Sequence, residues 1–176
     1  GRFNPPTLGH EALIKKVASS AKNGEYRIYP SRTEDPKKNP LDVGSKIGFM
    51  KQSYPDHADA IQNNEEMKTI FDVLKTVGEE GYSEVNIVVG GDRVSEFTSL
   101  ATKYNGNLYN FEQINVVSAG DRDPDADGVE GMSASKLRKA AADNDGETFV
   151  KGLSKAMSPD NQEKLFKAVQ KGMQVQ

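Results

Sequence analysis

Apolar positions along this chain change period several times, and each change predicts an element. Over residues 10–22, Leu13, Ile14 and Val17 form one stripe with Lys15 and Lys16 opposite, which is helix spacing. Residues 25–29 alternate as a short strand, and 30–40 form a turn-rich loop. Residues 41–54 read as a helix in spite of Gly44 and Gly48, and 57–62 as a short strand. Within 65–80, Met67, Ile70, Phe71, Leu74 and Val77 recur at near-ideal helical spacing. Residues 85–89 (Val-Asn-Ile-Val-Val) are β-branched and nearly all apolar, the pattern of a strand covered on both faces of a parallel sheet. A helix at about 94–104 and a strand at about 113–118 follow. From 133 onward the pattern is helical, over 133–142, 147–153 and 159–172, with Ser133 and Ser158 as N-caps.

Alternating strands and helices predict an α/β fold whose parallel sheet has right-handed crossovers and takes ligands beyond the carboxyl ends of its strands. Gly90 to Asp92 and the acidic segment 121–130 fall at such ends. The 176 residues suit one domain, with a helical C-terminal part from about 133 to 176. A hydrophobic share of 35% predicts a thin core and a polar surface. The formal net charge of −3 provides no general attraction for nucleic acid or an anionic membrane, so neither is expected as a partner. The chain has no cysteine, which excludes disulfides, thiolate metal sites and a cysteine nucleophile. It has no apolar run of transmembrane length and no signal-like start, and a soluble cytoplasmic protein is the expectation.

Two clusters carry the candidate chemistry. The first, Gly1-Arg2-Phe3-Asn4-Pro5-Pro6-Thr7-Leu8-Gly9-His10, joins a diproline loop and a Gly-His pair to the start of a helix. The second, Gly131-Met132-Ser133-Ala134-Ser135-Lys136-Leu137-Arg138, puts hydroxyls and cations at the start of another. Helix N-termini present unpaired N–H groups and partial positive charge to a polyanion. Gly9 admits a phosphate close to the backbone, His10 can donate to a phosphoryl oxygen, and Lys136 and Arg138 add full charges. Each residue also has a plainer role open to it: Ser133 as an N-cap, Lys37 and Lys38 as solvated loop charges, Asp92 as a cap after the strand. His57, the other histidine, stands in a polar stretch and reads as a bystander.

Thr7-Leu8-Gly9-His10 resembles the [His/Thr]-x-Gly-His signature of the nucleotidyltransferase superfamily, and Met132-Ser133-Ala134-Ser135-Lys136 resembles its Ser-x-x-Lys/Arg signature. Asp35-Pro36-Lys37-Lys38-Asn39-Pro40-Leu41, followed by Lys46-Ile47-Gly48-Phe49-Met50, is similar to the Lys-x-Pro-Leu loop and helix of nicotinate- and nicotinamide-nucleotide adenylyltransferases. Gly90-Gly91-Asp92-Arg93 resembles their Gly-x-Asp segment. The spelling of the first cluster is most similar to adenylyl- or cytidylyltransferases of tailed phages. All four segments occur in family order.

The resemblance implies a Rossmann-like sheet flanked by helices, and transfer of AMP or CMP from a nucleoside triphosphate to a small phosphate-bearing acceptor such as nicotinamide mononucleotide, with release of pyrophosphate. It implies catalytic roles for His10 and Lys136, nucleotide contacts from Phe3, Asn4, Thr7, Gly9, Gly90, Asp92, Ser133, Ser135 and Arg138, and acceptor contacts from Lys37 or Lys38 and Arg93, with Arg122 a further candidate. Magnesium is expected on the triphosphate, with no resident metal site. Asp121, Asp123, Asp125 and Asp127 lack the spacing of an EF-hand and read as an acidic lid. Family members reach the first cluster from a hydrophobic central strand, which the chain starting at Gly1 lacks. That departure keeps open an inactive nucleotide-binding or structural module of the same fold, for instance in a phage particle; homo-oligomerisation is open as well. A kinase of the P-loop kind would need Gly-x-x-x-x-Gly-Lys-[Ser/Thr], and the chain has none.

Overall fold

The computed structural model of the chain describes residues 1–22, 24–120 and 133–175. The acidic segment 121–130 with its four aspartates and Arg122, and Gly131 and Met132 of the second cluster, lie outside the described residues.

The described residues form a mixed α/β structure. In chain order the elements are α1 (Leu8–Ser20), α2 (Val43–Ser53), a 3-10 turn (Pro55–Ala60), α3 (Ile70–Glu79), β1 (Glu84–Val89), a second 3-10 turn (Gly91–Arg93), α4 (Val94–Lys103), β2 (Gln113–Ser118), α5 (Ala134–Ala142), α6 (Gly146–Lys151) and α7 (Pro159–Gly172). β1 and β2 pair in parallel from Glu84 opposite Gln113 to Val89 opposite Ser118, with α4 as their crossover. The caps expected at Ser133 and Ser158 are present: their hydroxyls accept from the N–H groups of Lys136 and Asn161.

Three expectations are corrected. The strand expected at 25–29 is reduced to one parallel bridge between Ile28 and Ile61. The strand expected at 57–62 is mostly the turn Pro55–Ala60, because Pro55 starts a helical turn and no β-branched residue comes before Ile61. The helix expected from 65 begins at Ile70, where Thr69 and Asp72 exchange side-chain and backbone hydrogen bonds in a capping box that fixes its start.

Three apolar clusters form the core. Leu137, Phe149, Leu153, Leu165 and Val169 join α5, α6 and α7 to Leu41. Phe3, Ile14, Ile28, Ile47, Met50 and Ile61 join α1 and α2 to the bridge. Leu74, Ile87, Ala101, Tyr109 and Phe111 lie between α3, β1 and α4. Between the second and third clusters is a cavity of about 690 Å3 lined from both sides, by Ile14, Val17 and Ile28 and by Ile70, Leu74 and Ile87 among others. It explains a further difference from expectation: of the six residues of β1 only Ile87 is buried, because one edge of the strand opens on the cavity.

Two glycines give opposite predictions. A Cβ at Gly172 would lie 1.8 Å from Pro40 O, so α7 reaches the 35–41 loop only because that side chain is absent. Gly172→Ala is expected to destabilise by about 2 kcal/mol through overpacking. At Gly48, inside α2, a Cβ meets nothing within 4 Å. Gly48→Ala is expected to stabilise by about 1 kcal/mol through helix propensity. Urea unfolding of both variants checks the pair.

Candidate functional site: two helix starts joined through Asn4

The first cluster is held from several sides. Thr7 has extended backbone and caps α1, with the diproline turn before it. His10 occupies the third helical position, where a capping box usually has glutamate or glutamine, and its Nδ1 accepts from Thr7 N–H at 3.1 Å. An Nδ1 that accepts leaves the proton of the neutral ring on Nε2, so the imidazole presents an N–H donor on its far side. Phe3, 2% exposed and with a φ of 49°, lays its ring 4.8 Å from that of His10. Behind Thr7, the Tyr54 hydroxyl donates to Thr7 O at 2.6 Å, and Leu8 N–H donates to Gly152 O at 2.9 Å. Burial pushes the Tyr54 phenol up, so it stays a donor.

Asn4 is fully buried. Its side-chain carbonyl accepts from Leu41 N–H at 2.9 Å and its amide donates to Leu41 O, locking the first cluster to the end of the 35–41 loop. Its main-chain oxygen accepts from Arg138 Nη1 at 2.9 Å, and Arg138 Nη2 donates to Ser135 Oγ at 3.2 Å. The start of α5 is thereby tied to the loop feeding α1, across 134 residues of sequence. Thr7, Gly9, His10, Ser133, Ser135, Lys136 and Arg138 therefore belong to two helix starts joined by one arginine side chain. Ser133 is buried as a cap, Lys136 half-buried and Ser135 exposed.

The remaining candidates lie apart from this junction. Lys37 and Lys38 are exposed at the tip of a small loop closed by Asp35 and Asn39; their N–H groups donate to Asp35, which Asn39 and Lys38 hold at about 2, below the usual carboxylate range. Gly90 and Asp92 sit at the carboxyl end of β1, with Gly90 rather than Asp92 starting the 3-10 turn. Arg93, at the N-cap of α4, pairs with Glu96 of that helix and lies over the Phe97 ring, 4.8 Å from its centroid, while lining the cavity that Phe3 also lines. Among the described residues no group of three or more His, Cys, Asp or Glu could hold a metal ion, and no helix is long and apolar enough to cross a membrane.

One residue that sequence reasoning passed over is Lys46. It is fully buried on α2, on the same face as Val43, Ile47 and Met50, and its Nζ donates to Ser31 O at 2.7 Å. Burial first, then Arg32, lowers its ammonium to about 8, with Glu34 opposing. A lysine inside an apolar i, i+4, i+7 stripe was the available signal. Ser31 N–H in turn donates to Gly1 O at 2.8 Å, so this cation stands just behind the first cluster.

The chain matches no family model and no curated protein.

Two predictions follow from this geometry. His10→Ala removes the ring acceptor from the α1 cap and is expected to cost about 1 kcal/mol, whereas His10→Gln keeps an acceptor there and costs less than half as much; thermal unfolding separates them. For Lys46 the folded pKa lies below the ordinary value, so between about 8 and 10.5 the unfolded chain binds more protons and stability rises with pH. The parent is expected to gain on Lys46→Met across that window, read from unfolding midpoints at several pH values.

Proposed function

We propose that the chain is a nucleotidyltransferase with a Rossmann-like sheet, moving AMP or CMP from a nucleoside triphosphate to a small phosphorylated acceptor. The observation that carries this reading is the 2.9 Å hydrogen bond from Arg138 to the Asn4 carbonyl, which joins two helix starts bearing Thr7-Leu8-Gly9-His10 and Ser133-Ala134-Ser135-Lys136. Two helix N-termini with an imidazole and two cations suit a triphosphate better than a single phosphate, since charge is spread along the polyanion.

In this reading an acceptor phosphate oxygen attacks the α-phosphorus in line, the new P–O bond forms as the bond to the β-phosphate breaks, and pyrophosphate leaves. His10 Nε2–H donates to a non-bridging α-phosphate oxygen, where negative charge grows. Lys136 and the α5 amides neutralise the β- and γ-phosphates, and Arg138 holds the two helix starts at fixed separation. No covalent enzyme intermediate is needed, because positioning and charge stabilisation lower the barrier. Magnesium enters bound to the triphosphate, as part of the substrate. Asp92 and Gly90 serve the nucleotide ribose, and Lys46, with Lys37 or Lys38 and Arg93, serves the acceptor phosphate; nicotinamide mononucleotide is the acceptor that the Pro40-Leu41 loop favours.

The cavity behind Phe3 favours a second reading: a module that binds nucleotide without turning it over, because the loop carrying His10 has open space behind it.

Pyrophosphate release with magnesium and ATP or CTP, over a panel of phosphorylated acceptors, tests the proposal. Turnover with one pair is expected, falling by about 100-fold in both His10→Ala and His10→Gln while nucleotide binding persists. Nucleotide binding without pyrophosphate release favours the module, and absence of both rejects the site.

A further inference from the structure

A chain of hydrogen bonds ends at His10 and begins at a residue outside both clusters. Tyr54 is the C-cap of α2, and Pro55 directly after it stops the helix there. The Tyr54 side chain is enclosed, 2% exposed, among Phe3, Ile14 and Met50. Its hydroxyl donates to Thr7 O at 2.6 Å, across 47 residues of sequence. On the other side of the same peptide, Leu8 N–H donates to Gly152 O at 2.9 Å. Gly152, at the end of α6, lies so close to α5 that a Cβ there would be 2.4 Å from Leu137 Cδ1. The Thr7–Leu8 peptide is thus clamped at its oxygen from the end of α2 and at its N–H from the end of α6.

A peptide plane held on both sides cannot turn, and only the φ and ψ of Thr7 separate it from the preceding N–H. Thr7 is extended, with φ −133° and ψ 172°, and that N–H donates to His10 Nδ1 at 3.1 Å. Thr7 O also accepts from His10 N–H at 3.2 Å. One residue therefore carries the bond from Tyr54 and the main-chain bonds to His10. Among the described residues, the clamp spends the Leu8 and His10 N–H groups of the first turn of α1 within the chain, which leaves Gly9 N–H for a ligand.

We propose that Tyr54 is a positioning residue for the reaction proposed above: its hydroxyl fixes the Thr7–Leu8 peptide and, through Thr7, sets the direction in which His10 Nε2–H and Gly9 N–H meet the α-phosphate. The inference rests on that reading of the site, since His10 is the group that faces the substrate in it. Tyr54 itself acts from behind, enclosed in the apolar cluster that α1 and α2 share. Burial keeps its phenol protonated, so the hydroxyl stays a donor to the Thr7 carbonyl. A phenylalanine at this position would fill the same space and leave Thr7 O with the longer bond from His10 N–H.

The test compares Tyr54→Phe with Tyr109→Phe, which removes another enclosed hydroxyl, one that donates to Ala101 O in the third apolar cluster. Both are expected to lower the melting temperature by about 3 °C. Only Tyr54→Phe is expected to lower kcat, by about 10-fold, with nucleotide affinity kept within about 2-fold of the parent. Only Tyr54→Phe is expected to draw the Nδ1 and Nε2 nitrogen shifts of the neutral His10 ring together, as the two tautomers mix. An unchanged kcat in Tyr54→Phe, or unchanged His10 ring nitrogens, makes Tyr54 a packing residue alone and overturns the proposal. In a parent that turns over no pair of nucleotide and acceptor, the reaction proposed above fails and the ring nitrogens decide by themselves. Their convergence in Tyr54→Phe then keeps Tyr54 as the residue that orients His10, and their identity with the parent overturns it. If Tyr54→Phe does not fold, 3,5-difluorotyrosine at position 54 keeps the ring and changes the strength of its donation; it shifts the same nitrogens or overturns the proposal.

Discussion

Much of this structure depends on the burial of one amide side chain. Asn4 can be fully enclosed only because Leu41 satisfies its carbonyl and its amide, and its own main-chain oxygen is taken by Arg138. An orphaned amide there would cost about 1–3 kcal/mol, so the three segments that meet at Asn4 are bound to keep their positions together. One of them brings α1 and His10, one brings the 35–41 loop and α2, and one brings α5 with Ser133 and Lys136. The phosphate-facing chemistry proposed for the chain is thus set by a hydrogen-bonded junction below it.

The junction also joins two of the three core clusters near the proposed site. Leu41 packs with α5, α6 and α7, while its neighbour Val43 packs with Phe3 and Ile14. The Asn4 bonds run between these clusters, as does the bond from Leu8 N–H to Gly152 O. Among the described residues no such link spans the gap between Ile28 and Ile87. There the closest ties are at the ends: Arg27 to Glu80, Tyr82 to Glu25, and Asn86 to Ser20 O. The walls of the cavity are therefore joined by an ion pair and polar contacts at their ends.

Legibility in the sequence followed the range of the interactions. Elements set by local pattern or by a cap were readable: β2 at Gln113–Ser118, α7 at Pro159–Gly172, and the Ser133 and Ser158 caps. The start of α3 at Thr69 was readable too, had the Thr-x-x-Asp spacing been set against the apolar stripe that suggested an earlier beginning. Residues 25–29 alternate as a strand should, yet a strand exists only through its neighbours, and the segment keeps a single bridge, Ile28 with Ile61. In the candidate site, the presence of His10 and Lys136 at helix starts was legible, because capping chemistry is local. The Asn4 to Arg138 bond was not, since no pattern links residues 134 apart.

Lys46 and His10 show how the same fold treats two bases differently. His10 is held by a local bond that settles which nitrogen accepts, so its donor direction follows from the helix start alone. Lys46 is held by burial, and the loss of hydration that, with Arg32, lowers its ammonium to about 8 is opposed by Glu34, while Ser31 O accepts from its Nζ. A buried cation kept charged near neutrality is costly unless an anion shares the cost, and Ser31 bonds directly to Gly1 at the mouth of the first cluster. An acceptor phosphate arriving there would raise the Lys46 ammonium toward its ordinary value, so binding and proton uptake would be coupled at this one side chain.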